Sequence, residues 1–247
     1  MSFESLDAQA QAARIDRVSA GFISRHEGAL LQALAYRLPR VVTPDHLTIL
    51  GVVGAFIAFG GLVLSHVSEL GLLIAMLGIA VNWLGDSLDG TLARARKIER
   101  PRYGFYVDHS TDVASQVLIV LGLGLSSLMR LDCALLGLVG YLALSVLSFI
   151  KLHVSRQLRI TYFGVGPTEV RAVIAAGIVF AALFEMPTLA TPAGVLGLFD
   201  VVGILVLMFA AVSGFTMFVE DARRLAVVDP ARHRGPAKVA MTEISEK

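Results

Sequence analysis

Between Gly85 and Asp112 the chain reads GDSLDGTLARARKIERPRYGFYVDHSTD, and four of its carboxylates are spaced as a site would need them. Asp86, Asp89, Gly90 and Ala93 stand at i, i+3, i+4 and i+7, so a helix carries them on one face. Asp108 and Asp112 are four apart and share a face of the next helix in the same way. A basic turn joins the two segments, which makes them antiparallel neighbours and gathers four carboxylates at one end of a helix pair. Four like charges beside hydrocarbon are too costly to keep without a cationic partner. Oxygen-only ligands suit Mg²⁺ or Mn²⁺, and four carboxylates suffice for two such ions sharing ligands. Gly90 and Gly104 let a ligand or a neighbouring backbone approach closely. Arg94, permanently charged and planar, suits a phosphate. Divalent cations, small residues and a phosphate-binding arginine together describe phosphoryl transfer from a diphosphate. The plainer alternative is that the acids end two helices and pair with the loop arginines.

The elements that must position these residues are apolar. The 247 residues are 55% hydrophobic and 17% charged, with a mean hydropathy of +0.72; a soluble domain carries about 25% charged residues. Charge-free runs recur at Leu47 to Ser65, Leu70 to Gly85, Val113 to Met129, Cys133 to Ile150, Ala172 to Phe184 and Val201 to Val219. They predict an all-α, polytopic integral membrane protein with six transmembrane helices, the fifth being the shortest. The second extends past Asp86 and Asp89 towards Arg94, and the third starts near Asp108. With six spans, every one of the 21 Lys and Arg residues except Arg130 falls on one side. The positive-inside rule makes that side cytoplasmic, with both termini and the acidic site on it. A formal charge of +1 with no separate basic domain excludes nucleic acid as a partner, and the lone Cys133 excludes a disulfide framework.

The first residues lack the basic start and apolar run of a secretory signal, so the first span is expected to stay in the mature protein. Ile15, Val18, Phe22, Leu30, Leu34 and Leu38 recur at helical spacings among polar residues. That pattern predicts an amphipathic helix at the membrane surface within a juxtamembrane region, residues 1–42, against the alternative of a soluble helical hairpin. Residues 43–220 then form the transmembrane catalytic domain. Residues 221–247, with Asp229-Pro230 and Gly235-Pro236, form a solvated tail.

Asp86-x-x-Asp89-Gly90-x-x-Ala93-Arg94, followed after nine residues by Gly104-x-x-x-Asp108-x-x-x-Asp112, resembles the signature of the class I CDP-alcohol phosphotransferases at eight positions. That family has six transmembrane helices with its site at the cytoplasmic face of the membrane. The resemblance implies that Asp86, Asp89, Asp108 and Asp112 bind two divalent cations, Mg²⁺ or Mn²⁺, and that Asp112 also serves as the base on the acceptor hydroxyl. It further implies that Gly90, Ala93, Arg94 and Gly104 surround the CDP moiety of the donor, and that the protein is a homodimer in the bacterial inner membrane. The family's Pro-Asn-x-x-Thr element reads Pro44-Asp45-His46-Leu47-Thr48 here, keeping Thr48 for the nucleotide and replacing Asn by Asp45.

Members of the family work in two directions in phospholipid biosynthesis. Some move a phosphatidyl group from CDP-diacylglycerol to a small alcohol such as glycerol phosphate, serine or inositol phosphate. Others move a headgroup from a CDP-alcohol to a lipid hydroxyl. Asp108-His109-x-x-Asp112 and Gly166-Pro167-Thr168-Glu169 resemble elements of the choline and ethanolamine enzymes, and lean the expectation towards headgroup transfer. His109 then competes with Asp112 as the base, although it also suits an ordinary interfacial histidine, and Thr168 with Glu169 suits a helix N-terminus. Lys151, Arg156, Arg159 and Arg171 either bind a phosphate of the acceptor or lipid or simply follow the topology rule. Arg96, Lys97, Arg100 and Arg102 invite the same two explanations, and Trp83 and Asn82 read as packing. An ion-coupled transporter is the alternative from a different class, but its acids belong near the bilayer midplane.

Overall fold

The computed structural model describes residues 16–17, 24–155, 157–158, 167–192 and 194–229. Among these residues seven helices follow one another: α1 (Ser24–Arg37), α2 (Pro44–Leu64), α3 (Leu70–Arg96), α4 (Pro101–Gly124), α5 (Leu131–Ser155), α6 (Pro167–Leu183) and α7 (Leu198–Val228). Two short pairings interrupt an otherwise all-α, multi-spanning membrane fold. Asp16–Arg17 (β1) runs parallel to Gln157–Leu158 (β2), and Thr188–Thr191 (β3) forms an antiparallel hairpin with Gly194–Gly197 (β4).

Among the described residues four helices, α2, α3, α5 and α7, are long and apolar enough to cross a membrane. The expected third and fifth spans, α4 and α6, do not meet that measure, for two different reasons. α6 has only 17 residues, while the first half of α4 carries Arg102, Asp108 and Asp112. α7 continues to Val228, eight residues past the expected end of the last span at Glu220, because Asp221-Ala-Arg-Arg-Leu is made largely of helix formers. Ile15, Val18 and Phe22 lie outside the described residues, as do Arg156, Arg159, Gly166 and the tail from Pro230 onward.

Local chemistry sets the helix ends around the acidic segment. Thr43 caps α2: its hydroxyl accepts from the His46 amide while His46 Nδ1 accepts from the Thr43 amide, each at 3.3 Å, with Pro44 in the first turn. α3 stops at Lys97, whose φ of 57° is left-handed, a conformation usually left to glycine. The chain therefore reverses over Lys97 to Arg100, and Pro101 starts α4.

The α2–α3 hairpin is welded backbone to backbone. Gly54 and Gly61 on α2 face Gly71, Gly78 and Gly85 on α3, each spaced seven apart, and a β-carbon on any of them would overlap the opposite main chain. At Gly85, for instance, it would lie 2.6 Å from the Leu47 carbonyl oxygen. Small residues at such positions let membrane helices approach closely without a hydrophobic driving force. Asn82, buried in the same seam, donates to the Gly51 carbonyl at 2.9 Å and so braces the crossing.

The main core gathers Ala58 and Leu62 of α2, Ala75 and Ile79 of α3, Ile119 and Leu123 of α4, Cys133 and Ala134 of α5, Ile174 and Ile178 of α6, and Phe199 of α7. A second cluster lies at the acidic end, where Leu31 and Ala35 of α1 pack on Leu47, Leu88 and Leu92, with Leu34 and Leu38 at its edge. Leu30 is exposed. The Arg96 guanidinium then clamps the segment after α1, donating to the carbonyls of Val42, Leu38 and Pro39 at 2.5, 2.9 and 2.9 Å. At the opposite end buried Asp200 accepts from the amides of Arg130 and Gly197, both at 2.7 Å, which ties the start of α7 to the turn before α5.

Candidate functional site

Because α3 runs unbroken through Arg96 and turns tightly into α4, Asp86 comes to stand beside Asp108 and Asp112. These three offer carboxylate oxygens that lie within 4.8 Å of one another. Mg²⁺ or Mn²⁺ holds oxygens at about 2.1 Å, so ligands across one ion lie about 4.2 Å apart. The cluster fits one such cation after a side-chain adjustment of less than an ångström. Its all-oxygen donor set is the one these hard ions take.

Asp89 does not join the three. It is buried, its Oδ2 accepts from the Thr48 hydroxyl at 2.6 Å, and its Oδ1 accepts from the Gly90 amide at 2.5 Å. Thus the family-type Thr48 at the head of α2 is joined to the acidic face of α3, a contact made possible by the glycine crossing one turn away. The four-carboxylate cluster expected from the spacing is a triad with a neighbour.

A cavity of about 670 Å³ opens over these residues, a volume ordinary for a small-molecule site. Thr48, Asp86, Asp89, Gly90, Ala93, Arg94, Gly104 and Asp108 all line it. Gly104 faces open space, and the nearest atom to a β-carbon on Gly90 would be Arg94 Nη1 at 3.2 Å. Small residues there keep volume free for a ligand. Arg94 lies back along its own helix, with Nη2 donating to Thr91 at 3.1 Å. Asp45 forms an ion pair with Arg100, whose guanidinium sits 4.0 Å over the Tyr103 ring. Thr168, from the head of α6, also reaches the wall.

His109 and Asp112 are not among the cavity's lining residues. The His109 ring stacks on Phe105, with centroids 4.2 Å apart, and meets Phe149 edge-on at 5.8 Å. Its Nδ1 lies 3.0 Å from the Phe105 carbonyl oxygen and 3.4 Å from Asp108 Oδ2.

Two residues enter the site in roles the sequence did not mark: Arg171, expected either to bind a phosphate or to follow the topology rule, and Glu27. Arg171, only 6% exposed, bridges Asp86 at 2.5 Å and Asp112 at 3.1 Å. The topology rule accounts for a basic residue at that end of α6 but not for its burial among acids. Glu27 of α1 lines the cavity and accepts from the Trp83 indole at 3.4 Å, so Trp83 does more than pack. Burial pushes the Glu27 carboxyl above its ordinary range, with the Trp83 hydrogen bond pulling the other way. Lys151, by contrast, is paired with Asp221 at 2.8 Å, and Arg96 is the carbonyl clamp described above.

Comparison with known proteins follows this geometry. A family model described as CDP-alcohol phosphatidyltransferase matches residues 41–219. Among solved structures, the chain is similar to the crystal structure of Mycobacterium tuberculosis phosphatidylinositol phosphate synthase (PgsA1) with CDP-DAG bound. The identity is 20%, the match covers 80% of this chain and 94% of that one, and the TM-score is 0.53, a likeness of fold. Comparison with curated proteins gives no match.

Proposed function

The chain belongs to the CDP-alcohol phosphatidyltransferase family, and from that premise we propose that it moves a phosphatidyl group from CDP-diacylglycerol to a small alcohol, releasing CMP. CDP-alcohol-dependent phosphotransfer in phospholipid biosynthesis is the activity of the family. The observation that carries the site assignment is the single cavity lined by Thr48, Asp86, Asp89, Gly90, Ala93, Arg94, Gly104 and Asp108.

The direction departs from the sequence expectation. Headgroup transfer leaned on Asp108-His109-x-x-Asp112 and on Gly166-Pro167-Thr168-Glu169; the His109 ring stacks on Phe105 and meets Phe149 edge-on, while Thr168 lines the cavity. The similar solved structure, a phosphatidylinositol phosphate synthase holding CDP-DAG, supports the phosphatidyl direction.

On this reading Asp86, Asp108 and Asp112 would hold a divalent cation, and Asp89 would contribute to a second. Cations bound there supply positive charge against the diphosphate and the departing phosphate. Thr48 fixes the Asp89 carboxylate, while Gly90, Ala93 and Gly104 leave room for the cytidine diphosphate and Arg94 meets its phosphate. The acceptor hydroxyl attacks the β-phosphorus in line, the bond to the CMP oxygen breaks, and the hydroxyl proton passes to a carboxylate, for which Asp112 is the assignment. With α4 and α6 completing six spans, the basic residues put the site and both termini on the cytoplasmic side of a bacterial inner membrane. The family resemblance adds a homodimer.

The test is CMP release by the purified protein in lipid. CDP-diacylglycerol is offered with glycerol phosphate, serine or inositol phosphate, in parallel with CDP-choline and CDP-ethanolamine plus diacylglycerol. Turnover in the first set is expected. Turnover confined to the second would reverse the direction and restore His109 to consideration.

A further inference from the structure

Arg171 joins three helices. It stands on the first turns of α6 with 6% of its side chain exposed, and its two terminal nitrogens reach Asp86 on α3 and Asp112 on α4. Its Nε is equally buried and has no partner among the described residues. Among the described residues the guanidinium's hydrogen bonds thus go to these two carboxylates, and its third donor direction adds none to keep it there. Its planar fork spans two acids at once, which a lysine ammonium, a point charge, does less well.

The same two carboxylates, with Asp108, make up the triad whose oxygens lie within 4.8 Å of one another. A dication ligated by those oxygens at about 2.1 Å would sit a few ångströms from the guanidinium. Like charges at that separation repel strongly where burial limits screening. Arg171 and the cation are therefore alternative neutralising partners for Asp86 and Asp112. We propose that Arg171 is a positioning residue that holds these two carboxylates together across α3, α4 and α6 and yields them to an incoming divalent cation, so that their competition sets the cation affinity. This rests on the proposed role of Asp86, Asp108 and Asp112 as cation ligands.

The experiment uses the full chain in detergent and reads binding and stability rather than turnover. Mn²⁺ is titrated calorimetrically into wild type, Arg171→Gln and Arg171→Lys, and thermal unfolding is followed in EDTA and in saturating Mn²⁺. Arg171→Gln is expected to bind Mn²⁺ about tenfold more tightly, a coupling of ordinary size between competing ligands. It is also expected to lose far more thermal stability in EDTA than in Mn²⁺, because only the chelated protein is left with uncompensated carboxylates. Arg171→Lys, which keeps the charge and loses the fork, is expected between the two and carries the test alone should the glutamine variant not fold. Unchanged or weaker Mn²⁺ binding in a folded variant overturns the proposal, and so does an equal loss of stability with and without Mn²⁺. Wild type that binds no Mn²⁺ at all would instead bring down the cation site, and the competition with it.

Discussion

Replacing Gly85 by alanine probes whether the backbone weld between α2 and α3 is what aligns the site. A β-carbon there would lie 2.6 Å from the Leu47 carbonyl oxygen and 2.7 Å from the Gly51 α-carbon, whereas ordinary contact begins at 3.4 Å. The nearest atom, the Gly51 amide nitrogen, would be at 2.4 Å, so the α2 backbone must retreat by about 1.0 Å. Thr48 follows Leu47, and its hydroxyl reaches Asp89 at 2.6 Å; the same retreat stretches that bond to about 3.6 Å, beyond effective hydrogen bonding. Overpacking of this kind costs about 1–3 kcal/mol and a lost bond to a charged acceptor about 1.5–3 kcal/mol. The gain in helix propensity from glycine to alanine returns about 1 kcal/mol at most. A net loss of about 1.5–5 kcal/mol is expected, together with a fall in CMP release of about a hundredfold, as misplacing reacting groups by an ångström does. Thermal unfolding in detergent and CMP release are read beside Gly60→Ala, whose added β-carbon meets nothing within 4 Å. If the two variants behave alike in both assays, the seam does not align the site.

Chelation with EDTA is expected to stop CMP release, and added Mg²⁺ or Mn²⁺ to restore it; activity that survives thorough chelation removes the cation from the chemistry. Asp112→Asn is expected to lose at least about a hundredfold in rate, while His109→Ala, whose ring lies among aromatic neighbours, keeps most of it. The reverse order would make His109 the base. Arg96→Ala withdraws the clamp from three carbonyls, at a cost of about 1–3 kcal/mol, and is expected to speed proteolytic cutting around residues 38–43. An unchanged cutting rate would mean that apolar packing alone secures α1.

Much of this site could be read from spacing because spacing is a local property. The i, i+3, i+4 pattern of Asp86, Asp89 and Gly90 requires a helix continuing past the hydrophobic run, and α3 does continue, to Arg96. The antiparallel turn between α3 and α4 follows from a short basic segment ending in Pro101. The pairing of Arg171 with the acids was out of reach for the opposite reason: the arginine lies 85 residues from Asp86 and 59 from Asp112, and nothing local records a contact made by tertiary packing. The separation of Asp89 from the triad depends on Thr48, 41 residues away, and so escaped in the same manner. The seven-residue spacing of Gly71, Gly78 and Gly85 was visible in the chain and marks the seam. The β3–β4 hairpin also had a signal in Thr191-Pro192-Ala193-Gly194, a turn sequence too brief to stand out among apolar runs.

The long sequence separation of Arg171 from its two carboxylates has a meaning for biogenesis. A ribosome adds about 5–20 residues per second, so roughly 4–17 s pass between synthesis of Asp86 and synthesis of its partner. For the later part of that interval α2, α3 and α4 have all been made while α6 has not. Carboxylates without a counter-ion cannot enter hydrocarbon cheaply. The ends of α3 and α4 that bear them must therefore stay in water, or on dissolved cations, until α6 emerges, and arrival of its first turns is the event that allows that corner of the bundle to close.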